Sequence, residues 1–456
     1  MKELARHVMV DFLPMKTFAD DPLILTEGQG IYVTDVDGNR YIDGLSGTFC
    51  VNLGHGNHAL ADAAARQLQR LALACPTLGT SDRALELVRR LLDITPPEYT
   101  TVKLLSGGSE ATESAIKMAR QYHKQTGAPT KYKVLSHYRA YHGGTGHSLA
   151  ASGWPIWRSS YEPLAGGFIH LHTPDPYRPP FAGTPESLGA TYAKLVDEVI
   201  TLEGPETIAA FITEPVLMSA GVVVPPTDYL PRVRELCDRY NIVLIFDEII
   251  TGFGRMGRLF AAEHWDTWPD ILCLGKGMSG GYAPLSATVL TERVARAFWG
   301  EPSDQVQYHA GHTYGGNPVA CAVGLAAIDQ LLKKGIVENA RERGVQMKER
   351  LRQLQTRYPV IGDIRGEGLL VGVEFVQDRD TRERFPASTN FGLRVRDAAR
   401  RRGLLLRASP WMVAFAPPLT TSAQEIDEIL TIFEDALAEV RRATEATHVV
   451  GARDRG

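Results

Sequence analysis

Paired cysteine motifs, long apolar runs and basic stretches are all missing from this 456-residue sequence, and each absence removes a class of function. The five cysteines, Cys50, Cys75, Cys237, Cys273 and Cys321, stand apart without a CxxC pair. Neither a disulfide framework nor a zinc site is expected, and a reducing compartment is. No run of eighteen apolar residues occurs, which excludes a membrane-spanning helix. Lysine and arginine number 49 against 53 aspartate and glutamate, a net charge of -4. With no basic run to track a phosphate backbone, no nucleic-acid partner is expected. HExxH, GxSxG and GxxxxGK(S/T) are also missing, which sets aside zinc peptidases, serine hydrolases and P-loop enzymes. The opening Met1-Lys2-Glu3-Leu4-Ala5-Arg6-His7 has no charged-then-apolar leader, and Asp11 and Asp20-Asp21 are unlike a transit peptide. The expected location is the cytoplasm.

What the chain does contain is ordinary soluble composition, 44 % hydrophobic and 22 % charged, at a length beyond the roughly 300 residues one core supports. Two lobes are expected. Residues 31–41 alternate around Asp37-Gly38 as a hairpin, and helical spacing covers 59–73 and 82–92. Short apolar runs then follow at 101–105, 132–135, 208–213, 242–246 and 271–274, with helical stretches between. Strands without polar alternation, interleaved with helices, indicate a parallel sheet buried on both faces. The stretch 175–186, rich in Pro and Gly, reads as a loop. From 336 onward a helix, a strand near 368–375 and a last helix over 423–443 suggest a C-terminal lobe. The boundaries expected are 1–60 for an N-terminal part of the small domain, 61–325 for the large domain and 326–456 for the rest of the small one.

Ligands of such sheets sit beyond the carboxyl ends of the strands, and four segments fall there. Ser106-Gly107-Gly108-Ser109 opens a helix, offering backbone N–H groups and a positive dipole end to a phosphate through Gly108 and Ser109. Tyr141-His142-Gly143 sets an aromatic ring beside glycines, able to stack on a flat ligand. Asp247 ends a buried strand, where a carboxylate needs a cation or donor; a protonated pyridine nitrogen is one such partner. Lys276, in Leu274-Gly275-Lys276-Gly277, is placed for a desolvated nucleophilic amine. Each segment alone reads equally as a turn, a cap or a packing residue. Together they describe a pyridoxal-5'-phosphate (PLP) site. Thr251-Gly252-Phe253-Gly254-Arg255-Met256-Gly257 spells GxGxxG, yet it does not follow its strand directly and opens no clear helix. It is not read as a dinucleotide site.

These segments, in this order, resemble the class III PLP-dependent aminotransferases over about residues 31–421. The resemblance implies the fold of aspartate aminotransferase (fold type I): an α/β large domain with a mostly parallel central sheet, plus a small α+β domain. It implies a phosphate cup at Gly108 and Ser109, a stacking Tyr141 followed by His142, and Glu214 of a Glu-Pro motif near the cofactor. It further implies Asp247 at the pyridine nitrogen and Lys276 as the Schiff-base lysine. Thr313, in His312-Thr313-Tyr314-Gly315-Gly316, would reach the phosphate of a neighbouring subunit, so a homodimer with shared sites, or a tetramer, is expected.

Relatives that use 2-oxoglutarate carry a glutamate and an arginine where this chain has Ser219 and Ala414. Arg407 instead matches the mobile arginine of the amine–pyruvate branch, Phe49 its aromatic pocket wall, and Trp154 a neighbouring wall. The expected activity is that of an ω-transaminase passing the amino group of a primary amine or ω-amino acid, with (S)-selectivity, to pyruvate. The alternatives are an ω-amino acid or diamine transaminase using 2-oxoglutarate, or a PLP aminomutase.

Overall fold

The computed structural model describes residues 1–453. An antiparallel meander comes first: β1 (Leu25–Gln29), β2 (Tyr32–Asp35) and β3 (Arg40–Asp43), the last two pairing Val33 with Tyr41 across the Asp37-Gly38 turn. The central sheet holds β4 (Tyr99–Leu105), β5 (Lys133–His137), β6 (Phe168–Leu171), β7 (Ile208–Thr213), β8 (Val243–Asp247), β9 (Ile271–Leu274) and β10 (Ser286–Thr291). Their spatial order is β4-β10-β9-β8-β7-β5-β6. The β5–β6, β5–β7, β7–β8 and β8–β9 pairs are parallel, and β10 alone runs against its neighbours.

Alternation along these strands divides two cores. Val134, Ile212, Val243, Ile245 and Ile271 face the helix Gly108–Gln125 through Ala111, Ala115 and Ile116. On the opposite side Leu135, Phe211, Leu244, Phe246 and Leu272 join the main core with Leu230, Val233 and Leu236 of the helix Tyr229–Arg239. Both faces are therefore covered, as near-continuous apolar strands require. The chain runs into the same edge of the sheet at the end of β4, β5, β7, β8 and β9, which gathers the polar residues that follow each strand.

The C-terminal part contributes β11 (Ile361–Glu367), β12 (Leu370–Phe375), β13 (Leu404–Leu405), β14 (Arg407–Ser409) and β15 (Met412–Phe415). Four of them form a sheet in the order β11-β12-β15-β14, while β13 pairs in parallel with β3 and so joins the meander. Helices Ile336–Arg357 and Phe391–Arg401 pack on these strands. No helix among the described residues is long and apolar enough to cross a membrane.

Two strands of the central sheet were absent from the sequence expectation. β10 mixes Ser286, Thr288 and Thr291 among its apolar residues, and β6 is only four residues long. The proline-rich loop, by contrast, ends where expected, at the helix Pro185–Glu203.

Candidate cofactor and active site

A cleft of about 130 Å³ opens at the carboxyl edge of the central sheet, lined by Gly108, Ser109, Tyr141, His142, Gly143, Glu214, Asp247, Ile249, Ile250 and Lys276. Every cofactor residue expected from the sequence lies in it except Thr313, which is exposed on the loop before the helix Pro318–Lys333.

The phosphate end follows from helix geometry. The first N–H groups of a helix have no intrahelical acceptor. The Glu110 carboxylate turns back to accept from the N–H groups of Ser106 and Gly107 at 2.9 and 3.3 Å. Those of Gly108 and Ser109 meet no acceptor among the described residues and point the helix start at the cleft. Ser109 Oγ accepts from Gly144 N–H at 3.1 Å. Gly143 permits this approach: its φ is +136°, and a Cβ there would lie 2.5 Å from Ser109 Oγ.

The acidic end is built on β8 and its neighbours. Asp247 is 5 % exposed, and its Oδ2 lies 2.9 Å from His142 Nδ1. An ionised carboxylate only accepts, so His142 carries its proton on Nδ1. The buried Nε2 has no hydrogen-bond partner among the described residues. Among the described residues Asp247 Oδ1 accepts only the Ile249 N–H, at 3.2 Å, leaving capacity for a further donor. Glu214, 4 % exposed, accepts from the N–H groups of Tyr141 and Met218, both at 3.1 Å. Burial, with the charge of Asp247 adding to it, pushes its carboxyl up to about 7. Glu248, next to Asp247, turns the other way and caps Ala261 and Ala262.

Lys276 follows β9 at φ +43°, a conformation few side-chain-bearing residues adopt. Its amine makes no hydrogen bond among the described residues, and it faces the same cleft as Asp247. A flat ring bearing a phosphate, a basic nitrogen and an aldehyde therefore finds matching groups here. Gly108 and Ser109 offer free donors, Asp247 an available oxygen, and Lys276 an unpaired amine. The residues fit PLP.

A second cleft of about 640 Å³ adjoins the first through Ser109 and Tyr141, and its walls include Phe12, Leu149, Ile156, Trp157 and Tyr161. Trp157 packs edge-on to Tyr141 at 5.1 Å, with Phe12 6.1 Å from Tyr141. Sequence reasoning named neither, because a four-residue helix (Pro155–Arg158) and an N-terminal segment carry no periodic signal. It also omitted Ile249 and Ile250, although their place directly after Asp247-Glu248 was available as a clue.

The expected substrate residues are spread more widely. Trp154 points its indole N–H at Ser219 O, 3.1 Å away, with its ring 6.1 Å from that of Trp157. Phe49 lines neither cleft; it is 4 % exposed and clusters with Met218, Met412 and Ala414. Arg407 opens β14 opposite Ala414 of β15. Its guanidinium is half-buried, meets no acceptor among the described residues, and lies close enough for its charge to act on Tyr141.

Comparison with known proteins agrees with this geometry. The family described as "Aminotransferase class-III" matches residues 16–437. A thermostable (S)-enantioselective omega-transaminase from Thermomicrobium roseum superimposes with a TM-score of 0.92 at 39 % identity, covering 96 % of this chain and 97 % of that one. A PLP-bound amine transaminase from an uncultivated Pseudomonas species does so with a TM-score of 0.90 at 38 % identity, covering 95 % and 98 %. An uncharacterized aminotransferase of Bacillus subtilis, YhxA, is 37 % identical, covering 92 % of this chain and 93 % of its own.

Proposed function

The chain belongs to the class-III aminotransferases, PLP-dependent enzymes, and from that premise we propose that it transfers the amino group of a primary amine or ω-amino acid, (S)-amines foremost, to pyruvate. The observation that carries the acceptor assignment is Arg407, a half-buried guanidinium with no acidic partner among the described residues, beside Tyr141. A guanidinium left unpaired next to a cleft is suited to a carboxylate that arrives with the substrate. Opposite it stands Ala414, not a second cation, and Ser219 offers its carbonyl to Trp154 instead of an acidic side chain to the cleft. A single arginine suits a monocarboxylate such as pyruvate better than a dicarboxylate. The apolar walls at Phe12, Trp157 and Tyr161 suit the hydrocarbon part of an amine donor. The likeness to an (S)-enantioselective transaminase supports the stereochemical preference.

PLP supplies an electron sink for the amine-bearing carbon. Gly108 and Ser109 would hold its phosphate, Tyr141 and Ile249 its ring, and Asp247 its pyridine nitrogen, with His142 keeping Asp247 oriented. Lys276 Nζ moves the proton away from and back to the substrate carbon. Thr313 would complete the phosphate end of the other copy's site, so the working form is a dimer. The large domain is then 61–325, with 1–60 and 326–456 making the small one; the pairing of β3 with β13 supports that grouping.

The test is transamination of (S)- and (R)-1-phenylethylamine with pyruvate and 2-oxoglutarate competing at equal concentration. Faster use of the (S)-amine with pyruvate is expected. A preference for 2-oxoglutarate would overturn the acceptor assignment, and rearrangement of a single substrate without any acceptor would point to an aminomutase.

A further inference from the structure

The glycine-rich loop after β8 bears no nucleotide signature, yet it delivers an arginine to an unusual place. Arg255 is fully buried, and no carboxylate among the described residues reaches it within ion-pair distance. Its guanidinium donates to Leu369 O at 3.0 Å, Pro417 O at 2.6 Å, Ser46 Oγ at 3.0 Å and Asn52 Oδ1 at 2.7 Å. A charge taken out of water without a counter-ion is unfavourable, and burial lowers this guanidinium to about 9, the field of Asp43 acting against that. A residue kept under that penalty needs a reason beyond filling space.

Its partners supply one. Ser46 and Asn52 bracket a loop whose backbone turns through positive φ at Ser46 (+52°) and Phe49 (+62°), conformations that persist only when the surroundings impose them. Asn52 also donates to Phe253 O at 3.0 Å. The far side of Asn52 presses on the lysine turn: a Cβ on Gly277 would lie 2.3 Å from Asn52 Nδ2. Leu369 and Pro417 belong instead to the C-terminal part, Leu369 preceding β12 and Pro417 following β15, the strand paired with Arg407. The Arg255 backbone adds a bond, its carbonyl accepting from Leu369 N–H at 3.0 Å. One side chain thus joins two separate segments, the strained 46–52 loop and the C-terminal part whose sheet carries Arg407, and through Asn52 it reaches the turn that carries Lys276.

We propose that Arg255 is a positioning residue for the transamination, acting through Asn52 on the Lys276 turn and through Leu369 and Pro417 on the Arg407 sheet. The inference rests on Lys276 being the reacting lysine. Its test uses Arg255→Lys and Asn52→Ser, each compared with the parent. In the PLP-loaded proteins kcat per bound cofactor, KM for pyruvate and the pH midpoint of the cofactor's absorbance are measured. In the cofactor-free proteins, backbone hydrogen exchange is followed over 43–52 and 275–280.

For Arg255→Lys, kcat per bound cofactor falls by about 10- to 100-fold, KM for pyruvate rises, the midpoint moves, and exchange rises in both segments together. Asn52→Ser, which leaves Arg255 in place, changes kcat and the midpoint but not KM for pyruvate. An Arg255→Lys protein that melts earlier yet keeps the parent's kcat, KM and midpoint would reduce Arg255 to a structural tether. If Arg255→Lys does not fold, an Asn52→Ser protein identical to the parent in kcat, midpoint and exchange overturns the proposal. Failure of the parent to bind PLP would sink the Lys276 reading, while the exchange comparison still judges Arg255.

Discussion

At Glu214 two opposing effects can be weighed. Neighbouring His142 and two backbone N–H groups favour the carboxylate, while burial and the nearby charge of Asp247 favour the acid, and burial prevails at about 7. An acid whose folded-state pKa lies above its ordinary 4.5 holds its proton more tightly when folded. Its stabilising contribution is full below about pH 4.5 and lost as pH rises to about 7. The unfolding free energy of the cofactor-free parent, minus that of Glu214→Gln, should therefore fall across this window, by up to a few kcal/mol at ~1.4 kcal/mol per pH unit. Glu248, also pushed up to about 7, behaves alike in both proteins and cancels. Denaturant titrations at pH 5 and pH 7.5 would measure it; a difference that ignores pH would mean Glu214 titrates normally. Arg407→Ala is expected to lower kcat/KM for pyruvate by about 10- to 100-fold, the worth of a charge-assisted hydrogen bond. The half-reaction with 1-phenylethylamine alone should change little, and equal losses in both would argue against a carboxylate role.

Among the elements, the helix Ile336–Arg357 shows how close packing overrides propensity. Glycine inside a helix is disfavoured relative to alanine by about 1 kcal/mol, so Gly344→Ala looks stabilising from sequence. In the fold a Cβ there would lie 2.1 Å from Gly368 O, in the turn between β11 and β12. Backbone cannot yield as a side chain can, and overpacking costs about 1–3 kcal/mol. A thermal melt of Gly344→Ala should show net destabilisation; a raised melting temperature would mean that the turn moves freely. The same contrast explains what was legible. β7, β8 and β9 are uninterrupted apolar runs, so their ends, and with them Asp247 and Lys276, could be placed from sequence, while Glu214 came only from the family resemblance. β10 could not, since its threonines imitate a surface strand while Thr288 and Ser286 are in fact buried. Arg255 stood inside a visible motif, but its partners lie at positions 46, 52, 369 and 417, and no local pattern reports contacts across such separations. Phe49 was singled out as a pocket wall, whereas its place among Met218, Met412 and Ala414 depends on tertiary packing.

For the whole molecule the telling residue is Thr313, exposed and outside the cleft that gathers the other residues expected at the cofactor. If it serves the other copy's site, the inactive Lys276→Ala and the cofactor-weakened Thr313→Ala should complement each other. A mixed dimer holds one site with Lys276 and an intact Thr313 donated across the interface. Unfolding and refolding the two variants together should restore activity that neither shows when refolded alone; no recovery would place Thr313 in its own subunit's service. The parallel pairing of Ile42 with Leu404 has a consequence for the newborn chain. A ribosome adds roughly 5–20 residues per second, so β3 leaves the exit tunnel and waits on the order of half a minute before β13 exists to cover its edge. During translation that edge is open to other nascent chains, and the protein's yield in a cell should respond to chaperones that bind early.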